Sequence, residues 1–179
     1  MKKLSSVMML ALLGWLGTSN QAQAQYNNWA GGFRIGEPAG VNIRKYFGEN
    51  HAFDLNVGTY GGLYGNVRSY RRGRFKNVGL VIQGHYLWHG EVGKSQTLHY
   101  YYGFGGQVTS RRYYPDNQRG QSVDYNKNIG IGGSAVAGLE YFLPNKPTSI
   151  FIETGLYAEV VPAIFFVNVQ SGIGLRFNL

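Results

Sequence analysis

Apolar and polar side chains alternate along eight stretches of this chain with a period of two. The alternation predicts strands at Trp29 to Gly36, Gly40 to Phe47, Ala52 to Tyr60, Val78 to His89, Thr97 to Thr109, Asn128 to Leu143, Ser149 to Val160 and Val167 to Asn178. In the fourth, Leu80, Ile82, Tyr86 and Trp88 share one face while Gln83, His85 and His89 share the other. The eighth sets Val167, Val169, Ile173, Leu175 and Phe177 against Asn168, Gln170, Arg176 and Asn178. No stretch has the 3.6-residue period of an amphipathic helix, so the pattern predicts an all-β chain.

The connections divide by length. Those leaving the second, fourth and sixth strands are short: Gly48-Glu49-Asn50, the stretch from Gly90 to Gln96, and Pro144 to Thr148. On the opposite side Gly61 to Asn77 and Ser110 to Lys127 are long, basic and rich in tyrosine, beside the short Glu37-Pro38-Ala39 and an apolar run from Pro162 to Phe166. Short turns on one side and longer loops on the other are the layout of a transmembrane barrel with both termini in the periplasm.

A soluble eight-stranded barrel would hide its apolar face inside. One closed sheet of this length has no second layer to cover that face, and its lumen is too narrow for so many aromatic rings. The expected fold is therefore an eight-stranded antiparallel up-and-down transmembrane β-barrel with the apolar face turned to lipid. Closure also pairs every backbone donor and acceptor, as hydrocarbon demands. Trp29, Phe47, Tyr60, Trp88, Tyr141 and Phe142, at strand ends, are expected to form interfacial girdles.

Composition agrees: 27 glycines and 15% aromatics disfavour helices. With no cysteine there is neither a disulfide nor a lipid-modified cysteine. Lys2 and Lys3, the apolar run from Val7 to Leu16 and Ala22-Gln23-Ala24 have the order of a secretory signal peptide. The run is too short for the roughly twenty residues of a spanning helix. Residues 1–24 are expected to be the signal peptide and residues 25–179 the barrel domain. A net charge of +8 suits anionic partners, and export makes outer-membrane lipid or lipopolysaccharide the expected one, with no nucleic acid.

Three stretches carry a resemblance: Gly31-Gly32-Phe33-Arg34-Ile35-Gly36 with Gly40 to Phe47, then Tyr100 to Gly106, and the closing Gly172-Ile173-Gly174-Leu175-Arg176-Phe177-Asn178-Leu179. In these the chain resembles small outer-membrane β-barrel proteins of the OmpA/OmpX-like class, particularly the porin-family barrels of Bacteroidota. The resemblance implies a cell outer-membrane protein of Gram-negative envelopes, inserted by the barrel-assembly machinery. That machinery reads an alternating last strand, usually with a terminal aromatic. Here Leu179 stands last and Phe177 two before it.

Inside the expected lumen lie Arg34, Arg44 and Arg176 on the first, second and eighth strands, and Asp54, Glu140, Glu153 and Glu159 on the third, sixth and seventh. Unpaired charges would be costly there, so a paired and hydrogen-bonded plug is expected. A gated ion path is the alternative. His85, His89 and His99 share the inner face of neighbouring strands; a hairpin symmetric about Gly93 would set His99 diagonal to both others. They are weak metal candidates, and hydrogen bonds to Tyr101 and Gln83 are the plainer expectation. Arg68, Arg71, Arg72 and Arg74 crowd one long loop and Arg111 and Arg112 the other, where their guanidinium groups suit the phosphates of lipopolysaccharide. Gly130-Ile131-Gly132-Gly133 lacks the strand-to-helix context of a phosphate loop.

Three functions follow as expectations. The first is a monomeric, non-enzymatic barrel without cofactor, serving envelope integrity or surface interaction. The second is a narrow pore for ions or small solutes. The third is a lipid A-modifying enzyme, which would need a serine beside a histidine; no histidine has a serine within two residues in sequence.

Overall fold

Eight long strands of alternating residues close into a ring because the first strand pairs with the last, Ala30 opposite Asn178 through Glu37 opposite Ser171. The computed structural model describes residues 29–61, 69–70, 73–75, 79–115, 126–162 and 164–179, with backbone alone for 69–70, 73–75, 111–115 and 126. The expected signal peptide lies outside the described residues. The strands are β1 (Trp29–Glu37), β2 (Ala39–Phe47), β3 (His51–Tyr60), β4 (Ser69–Tyr70), β5 (Gly73–Phe75), β6 (Gly79–Glu91), β7 (Leu98–Pro115), β8 (Asn126–Phe142), β9 (Thr148–Val161) and β10 (Phe166–Asn178). The barrel wall runs β1-β2-β3-β6-β7-β8-β9-β10 and back to β1, every neighbour antiparallel.

The two faces differ as the alternation predicts. Phe33, Ile35, Leu80, Phe104 and Leu156 point outward and are each more than half exposed. Arg44, Asp54, Gln107, Glu140 and Arg176 point into the lumen and are buried. A closed sheet with a greasy outside and a polar inside is a membrane-spanning barrel, because water would not tolerate so large an uncovered apolar surface. Gly48, at φ 62°, supplies the left-handed residue that lets the β2–β3 turn be this short.

Several expectations need correction. The long loops carry more strand than the hydrophobic pattern shows. β7 continues to Pro115 and β8 begins at Asn126, so Arg111 and Arg112 stand in a ladder opposite Asn128 and Lys127. The short β4 and β5 pair with one another, and β5 pairs with β7 at Tyr113 to Pro115. Beyond the apolar belt neither face need be greasy, so these segments lack the alternating signature while their backbones still gain from pairing. Phe166, expected in a loop, is the first residue of β10. Trp29, Phe47 and Tyr141 do point outward and are exposed, and Trp88 is in phase with the outward Leu80 and Ile82. Tyr60 does not: it is in phase with Asp54 and Asn56 and is buried. Phe142 is in phase with the buried Glu140, and its ring lies 5.1 Å from that of His99.

Candidate functional site

The lumen is filled by side chains in two polar layers. The inner layer holds charge. Arg44, on β2, donates to Glu140 on β8 at 2.8 Å and to Asp54 on β3 at 3.2 Å. Arg176, on β10, lies 3.1 Å from Glu140, 3.7 Å from Glu153 and 3.9 Å from Asp54. Arg34, on β1, reaches Glu153 at 2.9 Å, and its other nitrogens donate to the carbonyls of Pro38 and Glu37 in the outer turn. β2 and β8 are four strands apart in a ring of eight, so the Arg44–Glu140 pair crosses the full lumen. The network is a plug and does not line one side.

Neutral partners complete it. Asn42 donates to Asp54 and to Asn56 and accepts from Arg176 Nε at 2.5 Å. Ser149 donates to Glu140 at 2.5 Å, and Tyr101 donates to Glu153 at 2.5 Å. The Arg44 guanidinium carbon sits 4.3 Å from the Tyr101 ring centre, and that of Arg176 sits 3.6 Å from Phe151. Buried charges are tolerated when paired and hydrogen-bonded; here each of the three arginines is ion-paired and makes at least one hydrogen bond, while Arg44 Nε and the two terminal nitrogens of Arg176 make none among the described residues.

Four lumen glycines make the room. A Cβ on Gly138 would strike the ring of Tyr101, and one on Gly174 the ring of Phe151. One on Gly172 would meet Arg34 Nε, and one on Gly32 the strand backbone at Leu175 and Arg176. Opposite Gly138, Gly172 and Gly174 a large plug side chain takes the space of the missing one, whereas Gly32 permits the close approach of the neighbouring strand.

The second layer lies further toward the outer loops and carries no charge. Gln83 on β6 donates to Gln107 on β7 at 2.6 Å and to Gln170 on β10 at 2.7 Å, and Gln170 donates to Gln107 at 2.8 Å. β6 and β10 are again four strands apart, so this amide cluster also spans the bore. Gln107 accepts both bonds on its carbonyl oxygen and donates from its amide nitrogen to Thr109 at 2.8 Å.

Of the charged residues singled out in the sequence, Arg34, Arg44, Asp54, Glu140, Glu153 and Arg176 come together. Glu159 faces the lumen too, but toward the outer end, where it accepts from Tyr157 at 3.3 Å. Asn42, Tyr101, Phe151, Ser149 and the three glutamines were not assigned to the plug from sequence. All sit in phase with the inward charges, but alternation does not tell which of them meet.

Among the described residues, His85, His89 and His99 included, no group of three or more possible metal ligands stands together. The β6–β7 hairpin pairs His89 with Tyr101 and Glu91 with His99, so it is symmetric about Ser95. His99 is thus diagonal to His89 but six positions along the strand from the partner of His85. His85 bonds neither Tyr101 nor Gln83; its Nε2 lies 2.8 Å from Ser134 Oγ on β8. The serine–histidine pair absent from local sequence thus exists across strands, yet it faces the lumen and is buried, away from the lipid surface. Among the described residues His85 Nδ1 has no hydrogen-bond partner, whereas the base of a nucleophilic triad is oriented by a third group.

Arg68, Arg71 and Arg72 lie outside the described residues. Arg74 lies in β5, and Arg111 and Arg112 in the outer end of β7.

No protein-family profile matches the chain, and no curated protein matches it in sequence. Solved structures do. The N-terminal β-barrel domain of Pseudomonas aeruginosa OprF is similar, with a TM-score of 0.60, 13% identity, and coverage of 85% of this chain and 98% of that one. Neisserial surface protein A (NspA) gives a TM-score of 0.49 and 14% identity, covering 84% and 94%. At 13% identity the likeness to the OprF domain concerns the barrel fold alone.

Proposed function

We propose that this chain is a non-enzymatic protein of the Gram-negative outer membrane, contributing to envelope integrity or surface contact through the strands that rise beyond its barrel. The observation that carries this reading is the double closure of the lumen by the Arg44–Glu140–Arg176 network and the Gln83–Gln107–Gln170 cluster. A bore filled twice leaves the outer extension as the surface free to meet a partner. Arg74, Arg111 and Arg112 stand in that extension, with Arg68, Arg71 and Arg72 close in sequence, and lipopolysaccharide phosphates are the partner their chemistry suits. The protein acts as a monomer without cofactor and reaches its place through the barrel-assembly machinery.

Membrane fractionation with heat-modifiability on gels tests the location. Outer-membrane protein whose migration shifts on boiling supports the reading; soluble periplasmic protein without a shift overturns it. Lipopolysaccharide retention that survives replacing all six arginines by glutamine overturns the surface assignment.

One observation favours the narrow-pore alternative: Arg176 lies within 4 Å of three carboxylates, so it can exchange partners without leaving the lumen. Steady conductance in planar bilayers would establish that reading in place of a sealed barrel. The lipid A-modifying reading gains nothing from the lumenal His85–Ser134 pair, and unchanged lipid A mass spectra on overexpression would remove it.

A further inference from the structure

Among the described side chains of the membrane-spanning strands, two lysines are in phase with the outward face: Lys127, one residue into β8 at the end toward the outer loops, and Lys45, on β2 at the periplasmic end, two residues before the strand ends at Phe47. At the periplasmic end Lys45 is the one outward strand charge among the described residues; Glu49, Lys94 and Lys146 lie in turns, and Glu91 is in phase with the buried His89. A cation facing lipid is costly at mid-membrane and nearly free at the interface, so its position near the strand end has meaning. Lys45 pairs in register with Trp29 on one side and Phe53 on the other, and its ammonium lies 5.1 Å from the Trp29 ring centre. No carboxylate among the described residues neutralises it.

The surroundings are those of a headgroup layer. Phe47 packs 5.6 Å from Tyr86, which packs 4.9 Å from Trp88, and His51 bridges them with its Nδ1 3.2 Å from the Tyr86 hydroxyl. Amphipathic rings of this kind settle where hydrocarbon meets polar headgroups. The four-carbon lysine stem can lie along apolar surface while the ammonium reaches the polar zone.

We infer that Lys45 and Trp29 form a binding site for an anionic phospholipid of the periplasmic leaflet, the ammonium holding the phosphate and the neighbouring Phe53 and Ile43 receiving the acyl chains. The inference rests on the outer-membrane reading, since the leaflet follows from the barrel's orientation. It differs from the proposed lipopolysaccharide contact, which lies at the opposite end of the barrel.

The test uses the full mature chain in a neutral detergent, titrated with phosphatidylglycerol or phosphatidylcholine and read by native mass spectrometry. The expected result is a preference for phosphatidylglycerol that falls about fivefold in Lys45→Gln, the weight of one lysine near an anionic surface, and does not change in Lys146→Gln in a periplasmic turn. No preference in the unaltered chain, or an unchanged one in Lys45→Gln, overturns the site. Heat-modifiability after insertion into phosphatidylcholine vesicles is read alongside: a shift in both forms keeps the barrel reading standing even if the lipid site fails.

Discussion

Tyr101 and Gly138 share one level of the lumen, and the ring of Tyr101 occupies the space that a side chain at Gly138 would take. The Tyr101 hydroxyl then reaches Glu153 at 2.5 Å while Arg44 lies over its face. Gly138→Ala is expected to lower stability by about 1–3 kcal/mol, the range for overpacking a filled interior. Gly106→Ala is the comparison, because a Cβ there meets nothing closer than 3.8 Å. Urea-dependent folding into lipid vesicles measures both. Equal, small losses would mean that Tyr101 moves freely and that the plug is loosely packed.

Glu140 accepts hydrogen bonds from Arg44 and Ser149 and is ion-paired with Arg176. Glu140→Gln leaves three buried guanidinium groups, of Arg34, Arg44 and Arg176, facing two carboxylates, Asp54 and Glu153, and is expected to cost about 3–5 kcal/mol. Adding Arg44→Gln should recover part of that loss, giving a coupling of about 0.5–3 kcal/mol in a double-mutant cycle. Strict additivity would show that the pair contributes no specific interaction.

Two layers in series predict a particular conductance pattern. The unaltered barrel and Arg176→Ala should both be silent in planar bilayers, because the glutamine cluster still spans the bore. Arg176→Ala combined with Gln83→Ala and Gln170→Ala should conduct. Current through Arg176→Ala alone would show that the amide layer is no barrier.

Outward positions report on the lipid. Ile173→Lys, within the apolar belt, should cost about 2–4 kcal/mol of folding stability in vesicles if it lies near mid-membrane, whereas Tyr141→Lys at the rim should cost about 0–1 kcal/mol. The same folding assay checks both. Similar costs at the two positions would contradict the belt.

Much of the fold was legible before any coordinates. Leu80, Ile82, Tyr86 and Trp88 against Gln83, His85 and His89 already separate the two sides of β6, because one face meets hydrocarbon and the other does not. Strand ends were less legible. Tyr60 and Phe142 look like girdle residues by type and position, but their phase turns them inward. The outer ends of β7 and β8 meet no hydrocarbon, so no alternation announces them. The β6–β7 register is likewise not legible: Gly93 has the φ of a turn residue, 66°, yet the ladder is centred on Ser95. A glycine marks where a turn can bend but does not set the pairing on either side.

What the sequence determined by itself was which side chains face lipid and which face the lumen, since a period of two is a local property that the solvent on each side selects. What only the tertiary structure decided was which lumen residues meet. Arg44 and Glu140 are 96 positions apart in the chain. Their contact depends on the registers of every strand between them and on the closure that sets β2 opposite β8, and the glycines that leave room for the plug acquire that meaning only when the ring is closed.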